Sequence, residues 1–187
     1  LKTAFLALLI LSVNAEEPRF YIPEAPAVAA KSFILMDHNS GAILASNNEN
    51  EMRSPASLTK LMTSYVIFKR LKEEFITLDE EVKISEKAWR TGGSRSFIEV
   101  GKMIKLEDLL KGMIIQSGND ACIVVAENIS GSEETFSILM NEMANDIGLD
   151  NTNFSNSTGM HSVKNYSTVS DIAKMSQYLI NNYPEYY

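Results

Sequence analysis

Two short runs hold the residues best suited to chemistry. In Ser57-Leu58-Thr59-Lys60 a serine and a lysine stand three positions apart, in a stretch whose pattern predicts a helix. Three residues turn a helix through about 300° and climb about 4.5 Å, so both side chains share a face. A serine hydroxyl is a weak nucleophile until a neighbouring base takes its proton. A lysine at its ordinary pKa of about 10.4 is protonated and cannot do so. Burial and the positive end of a helix both disfavour the ammonium and make the neutral amine accessible. Free backbone N–H groups in the first helical turn can also stabilise an oxyanion as it develops. The second run is Ser117-Gly118-Asn119, between two expected helices. From a tight loop, Ser117 can relay a proton to a leaving amine, and Asn119 can hold a lysine or a substrate carbonyl.

Singly, each run has a plainer explanation. Serine and lysine are common, and one such pairing is expected about once in a chain of this size. A Ser-Gly-Asn tripeptide is most often just a turn. Together they say more. Ser-x-x-Lys followed by Ser-x-Asn, with a helical segment between, supplies two of three signatures shared by penicillin-binding proteins and class A β-lactamases. The third, Lys-Thr-Gly, occurs nowhere in the 187 residues. No Ser-His-Asp set competes. His38 lies beside a turn and His161 in a polar loop without a serine elbow, so both read as surface residues.

The elements that must position these runs are legible in outline. Lys31–Asp37 and Ala42–Ala45, joined by His38-Asn39-Ser40-Gly41, carry a hairpin signal. Ser54 is placed to cap a helix with Pro55 at its first position, followed by Leu58, Leu61, Met62, Tyr65, Val66 and Phe68. Glu73–Glu81 reads as a connector. Val82–Ser85 and Phe97–Val100 read as short strands around the loop Thr91-Gly92-Gly93-Ser94. Leu106–Ile115 has helical composition, and a further apolar helix carries Cys122, the single cysteine, which suits packing. Ser132 caps an amphipathic helix stopped by Gly148, and Thr168-Val169-Ser170-Asp171 opens a last one. Between these two, Asn151–Tyr166 reads as loop. The nine methionines fall mostly at helical apolar positions.

Residues 1–15 have the order of a secretory signal peptide: Lys2, an apolar run of ten residues from Ala4 to Val13, and Ala15 before an acidic pair. The run is well short of the roughly 20 residues a membrane span needs. Residues 16–30, with Pro18, Pro23 and Pro26, form an extended lead-in, and 31–187 form one domain. A net charge of −7 without a Lys/Arg cluster argues against nucleic acid or an anionic membrane as main partner. A lone hairpin is not independently stable, which leads us to expect further strands beyond Tyr187.

The stretches Pro55-Ala56-Ser57-Leu58-Thr59-Lys60-Leu61-Met62-Thr63 and Gln116-Ser117-Gly118-Asn119-Asp120-Ala121 resemble the signatures of low-molecular-mass D-Ala-D-Ala carboxypeptidases, a group of penicillin-binding proteins. The likeness extends over Asp37–Gly41, Gly93-Ser94, Gly131–Asn141 and Tyr166–Asp171. It implies an α+β fold of the β-lactamase/DD-peptidase (transpeptidase-like) type, with a helical region against an antiparallel sheet. It implies an exported enzyme in the periplasm, at the outer face of the bacterial cytoplasmic membrane, acting on peptidoglycan stem peptides. By the same resemblance Ser57 is the nucleophile and Lys60 accepts its proton. Ser117 passes the proton to the departing D-alanine, and Asn119 positions Lys60 and the substrate amide. β-Lactam antibiotics would acylate Ser57 as inhibitors, and no metal or organic cofactor is implied. Lys-Thr-Gly, the family's C-terminal β-rich domain and an amphipathic membrane-anchoring helix would all follow the last residue here. Three alternatives stay open. A D,D-endopeptidase of the same family is hardly separable by sequence. A class A β-lactamase needs a Glu-x-x-x-Asn loop, yet no glutamate lies between Glu142 and Glu185. A non-catalytic wall-binding relative has no need of Lys60 beside Ser57.

Overall fold

The computed structural model describes residues 27–96 and 98–187. The expected signal peptide and most of the lead-in lie outside the described residues.

Strands β1 (Phe33–Met36) and β2 (Ile43–Asn47) form the expected hairpin, pairing Phe33 with Asn47 and Leu35 with Ala45. Its turn is held by the Asp37 carboxylate, which accepts from the Ser40 N–H at 2.8 Å and the Ser40 hydroxyl at 2.5 Å. A 3₁₀ turn over Ala56–Leu58 then leads into α1 (Thr59–Lys72). β3 (Glu81–Lys83), α2 (Glu86–Arg90) and β4 (Met103–Lys105) follow. Four longer helices complete the chain: α3 (Leu106–Gln116), α4 (Asn119–Ser130), α5 (Glu133–Asp146) and α6 (Val169–Asn182). Among the described residues the strands make two separate two-stranded antiparallel sheets, so the class is α+β.

The core is built around α4. Its run Ala121-Cys122-Ile123-Val124-Val125-Ala126 is buried throughout, and α1, α2, α3 and α5 pack around it. A helix apolar on every side has to be central. Cys122 is therefore packing, and burial pushes its thiol up to about 12. Met62, Met113, Met140, Met143 and Met175 are buried as well. α6 closes the other flank of α1, where Tyr65 meets Tyr178 edge-on at 5.3 Å and Phe68 stacks on Tyr186 at 4.9 Å.

The predicted caps of the last two helices are present. The Ser132 side chain accepts from the Thr135 N–H, and the Thr168 side chain accepts from the Asp171 N–H. Gly148, at φ +71°, follows the end of α5.

Three local expectations need correcting. Ser54 caps no helix, because Pro55 opens a 3₁₀ turn in which Ala56 has a φ of +47°. The strand expected over Phe97–Val100 is not found at residues 98–100, and β3 pairs with Met103–Lys105 further on. Gly101, at φ +76°, donates to the Ile84 carbonyl and turns the chain, so Ile104 and not Ile98 comes opposite Val82. Phe97 lies outside the described residues. Finally, Ser85 caps a helix, accepting from the Ala88 N–H. α2 is five residues long, too short to display a helical period. No described helix is long and apolar enough to cross a membrane.

Candidate active site

The four singled-out residues come from three places in the fold and meet at one cleft. Ser57 sits in the 3₁₀ turn just ahead of α1, not in the first α-helical turn. The left-handed Ala56 before it is unusual, costing about 1 kcal/mol without a glycine there. Gly159 presses on that turn so closely that a Cβ at Gly159 would lie 1.8 Å from the Ala56 carbonyl oxygen. The backbone ahead of Ser57 is therefore fixed from outside the helix it introduces.

Lys60 lies in the first turn of α1 and is 7% exposed. Its Nζ donates to Asn119 Oδ1 at 2.8 Å and to the Thr158 carbonyl at 2.7 Å. Both acceptors are neutral, and no carboxylate pairs with the amine among the described residues. Burial consequently holds Lys60 below its ordinary value of 10.5, with Cys122 opposing the shift. This environment favours the neutral amine that a lysine base needs.

Ser117 ends α3 in the left-handed conformation, φ +57° and ψ 34°, and its hydroxyl donates to Ser57 Oγ at 3.1 Å. A Cβ at Gly118 would stand 1.9 Å from Ser96 Oγ, so the Ser96 side chain would have to move to admit one. Asn119 opens α4. Its Oδ1 faces Lys60, its Nδ2 donates to the Gly92 carbonyl at 2.9 Å, and its N–H donates to the Ser94 carbonyl at 2.8 Å. The buried Asp120 carboxylate secures the same loop by accepting from the Ser96 N–H at 2.8 and 3.0 Å. Ser57, Lys60 and Ser117 line the cleft, with Leu61, Met113 and Ile114 as an apolar wall, and Asn119 stands behind Lys60. Neither His38 nor His161 lines it.

Sequence reasoning missed the segment Asn156–Gly159. It supplies the second acceptor for Lys60 through Thr158, and the Ser157 carbonyl accepts from Thr63 Oγ1 at 2.7 Å. Its composition announces only a loop.

Residues 20–187 match the family model described as D-alanyl-D-alanine carboxypeptidase. The chain belongs to that family. Among curated members it is 43% identical over 191 residues to the D-alanyl-D-alanine carboxypeptidase DacC of Escherichia coli strain K12, covering 99% of this chain and 47% of that protein. Among solved structures it resembles the D-alanyl-D-alanine carboxypeptidase DacD of Francisella tularensis, with a TM-score of 0.88 and 37% identity over 92% of this chain and 42% of that one. It also resembles penicillin binding protein 5 of Haemophilus influenzae, with a TM-score of 0.85 and 38% identity over 88% and 48%. The chain spans about half the length of the curated relatives it matches. The α+β fold is thus that of the D-Ala-D-Ala peptidases and penicillin-binding proteins.

Proposed function

We propose that this chain is part of a serine D-Ala-D-Ala carboxypeptidase that removes the terminal D-alanine from peptidoglycan stem peptides. The observation that carries the reading is the environment of Lys60. Its two neutral acceptors engage two N–H bonds, so a neutral amine keeps its lone pair free, and Lys60 lines the same cleft as Ser57.

The proton path follows from that geometry. Lys60 takes the proton of Ser57 as Oγ attacks the carbonyl carbon of the penultimate D-alanine. The C–N bond to the last residue breaks, and the proton reaches the leaving amine through Ser117, whose hydroxyl already touches Ser57. Water, deprotonated by the same amine, then cleaves the ester and frees Ser57. Asn119 holds Lys60 through Oδ1 throughout. Penicillins present a strained amide to the same serine and leave it acylated. The leader-like residues 1–15 support export, and with it a site of action in the periplasm at the outer face of the cytoplasmic membrane.

The expected result with the full-length protein is release of free D-alanine from a peptide ending in D-Ala-D-Ala, with little cleavage of a cross-linked dimer. Preferential cleavage of the dimer would replace this reading with an endopeptidase. Rapid turnover of a chromogenic cephalosporin would replace it with a β-lactamase.

A further inference from the structure

One of the two acceptors that hold Lys60 is a main-chain carbonyl in a segment without regular structure. The Thr158 oxygen can fix an amine only if Asn156–Gly159 is itself fixed. Part of that order is local. Asn156 Oδ1 accepts from the Thr158 N–H at 3.2 Å, the Thr158 hydroxyl at 3.1 Å and the Gly159 N–H at 2.7 Å. These bonds shape the loop but would travel with it.

Beyond the packing of Gly159 on Ala56, attachment to the rest of the molecule comes through both sides of Ser157. Its carbonyl takes the Thr63 hydroxyl, and its N–H and hydroxyl both donate to Glu133 Oε1, at 3.1 and 2.9 Å. The Glu133 side chain is 15% exposed, and its Oε2 stands 3.5 Å from Lys87 Nζ on α2. An acid in the first turn of α5 has an ordinary use, complementing the helix dipole. Glu134, beside it, can serve that purpose with a side chain 78% exposed. The dipole gives no reason for Glu133 to be withdrawn from water onto the loop that carries Thr158.

We propose that Glu133 is a positioning residue for Lys60: by clamping Ser157 it sets the Thr158 carbonyl where it holds the amine. This rests on Lys60 being the proton acceptor. Without the clamp the carbonyl drifts and water reaches Nζ. The desolvation that keeps Lys60 below its ordinary value then weakens. The other titratable groups along this path are Lys87 and Glu134 near Glu133, and, on α4, Cys122 near both Glu133 and Lys60 with the buried Asp120 beside it. Burial pushes the Cys122 thiol up to about 12, so it stays neutral over the pH range to be read.

The test is the pH profile of acylation by penicillin, with a thermal melt, for the full-length protein and its Glu133→Ala, Glu133→Gln and Ser157→Ala variants. Glutamine keeps the acceptor oxygen and loses the charge. Alanine loses both. Glu133→Ala should acylate at least about tenfold more slowly near neutral pH, within the roughly hundredfold that a 1 Å misplacement can cost. The acid limb of its profile should move to higher pH, with the rates converging in alkali. Glu133→Gln should restore the profile, and Ser157→Ala should shift it less, in the same direction. A Glu133→Ala profile superimposable on the parent overturns the proposal, whatever the melt shows. So does a glutamine variant as shifted as the alanine one. Should Glu133→Ala fail to fold, the Ser157→Ala profile decides alone, and an unmoved acid limb overturns the proposal. A parent whose acylation does not depend on Lys60 would instead bring down the reading of the site beneath it.

Discussion

Replacing Lys60 with alanine slows acylation by penicillin by about 10²–10⁴-fold, the range that a positioned general base contributes. The pH dependence distinguishes a chemical loss from a by-product of disorder. In the parent the rate climbs with pH as Lys60 loses its proton, and the midpoint of that limb falls below 10.5, because burial disfavours the ammonium. In Lys60→Ala the residual rate has no such limb. Stability carries the same signature. With the folded value depressed, the unfolded chain binds more protons between the folded pKa and 10.5, so stability rises with pH across that window. The contribution is fully present above 10.5 and lost as pH falls through the folded value. Alanine removes that slope. It also leaves Asn119 Oδ1 and the Thr158 carbonyl without their donor, which costs about 1–3 kcal/mol for each acceptor that water cannot reach. A melt beside the pH profile separates the two effects.

Gly159→Ala carries the second large effect, and it acts on Ser57 through the backbone. Gly159 has a φ of +83°, where an L side chain costs about 1–2 kcal/mol. A Cβ there would also stand 1.8 Å from the Ala56 oxygen, 2.4 Å from its carbonyl carbon and 3.1 Å from the Ser57 nitrogen. These are main-chain atoms and cannot swing aside, so overpacking adds about 1–3 kcal/mol. The total is a large share of the roughly 5–15 kcal/mol that holds a domain folded. Any relief comes by pushing the turn that presents Ser57. The surviving fold should therefore acylate up to about a hundredfold more slowly. Gly131→Ala is the matching control, since Gly131 has a φ of +77° and a Cβ there would meet nothing within 4 Å. It should show the conformational cost alone, with normal acylation. Equal melts and equal acylation for the two variants would show that the Gly159 contact does nothing for the site.

Much of this is legible in the residues, for identifiable reasons. Ser57, Lys60, Ser117 and Asn119 can be chosen because each is a side chain whose role depends on its type and local spacing. α3, α5 and α6 announce themselves through apolar periodicity and through Ser132 and Thr168 as caps. α4 is visible as an unbroken apolar run that only a core could hide. What escapes has no such signature. α2 is shorter than two helical turns, and the β3–β4 register turns on the backbone at Gly101. The left-handed Ala56 is hidden because Ser54-Pro55 has the look of an ordinary helix start. The bond from Lys60 to the Thr158 carbonyl spans 98 residues and uses a group that every residue possesses, so no residue type could give it away. Glu133 shows in the sequence only as one of two acids in a first turn, and Ser157, which gives it a different task, reads as loop.

Whether Ser57 is the nucleophile is read from the intact mass of the full-length protein after incubation with benzylpenicillin, beside Ser57→Ala. One penicilloyl adduct should form on the parent and none on the variant, with both melting as folded proteins. An adduct that persists in Ser57→Ala, or none on a folded parent, would contradict that role for Ser57.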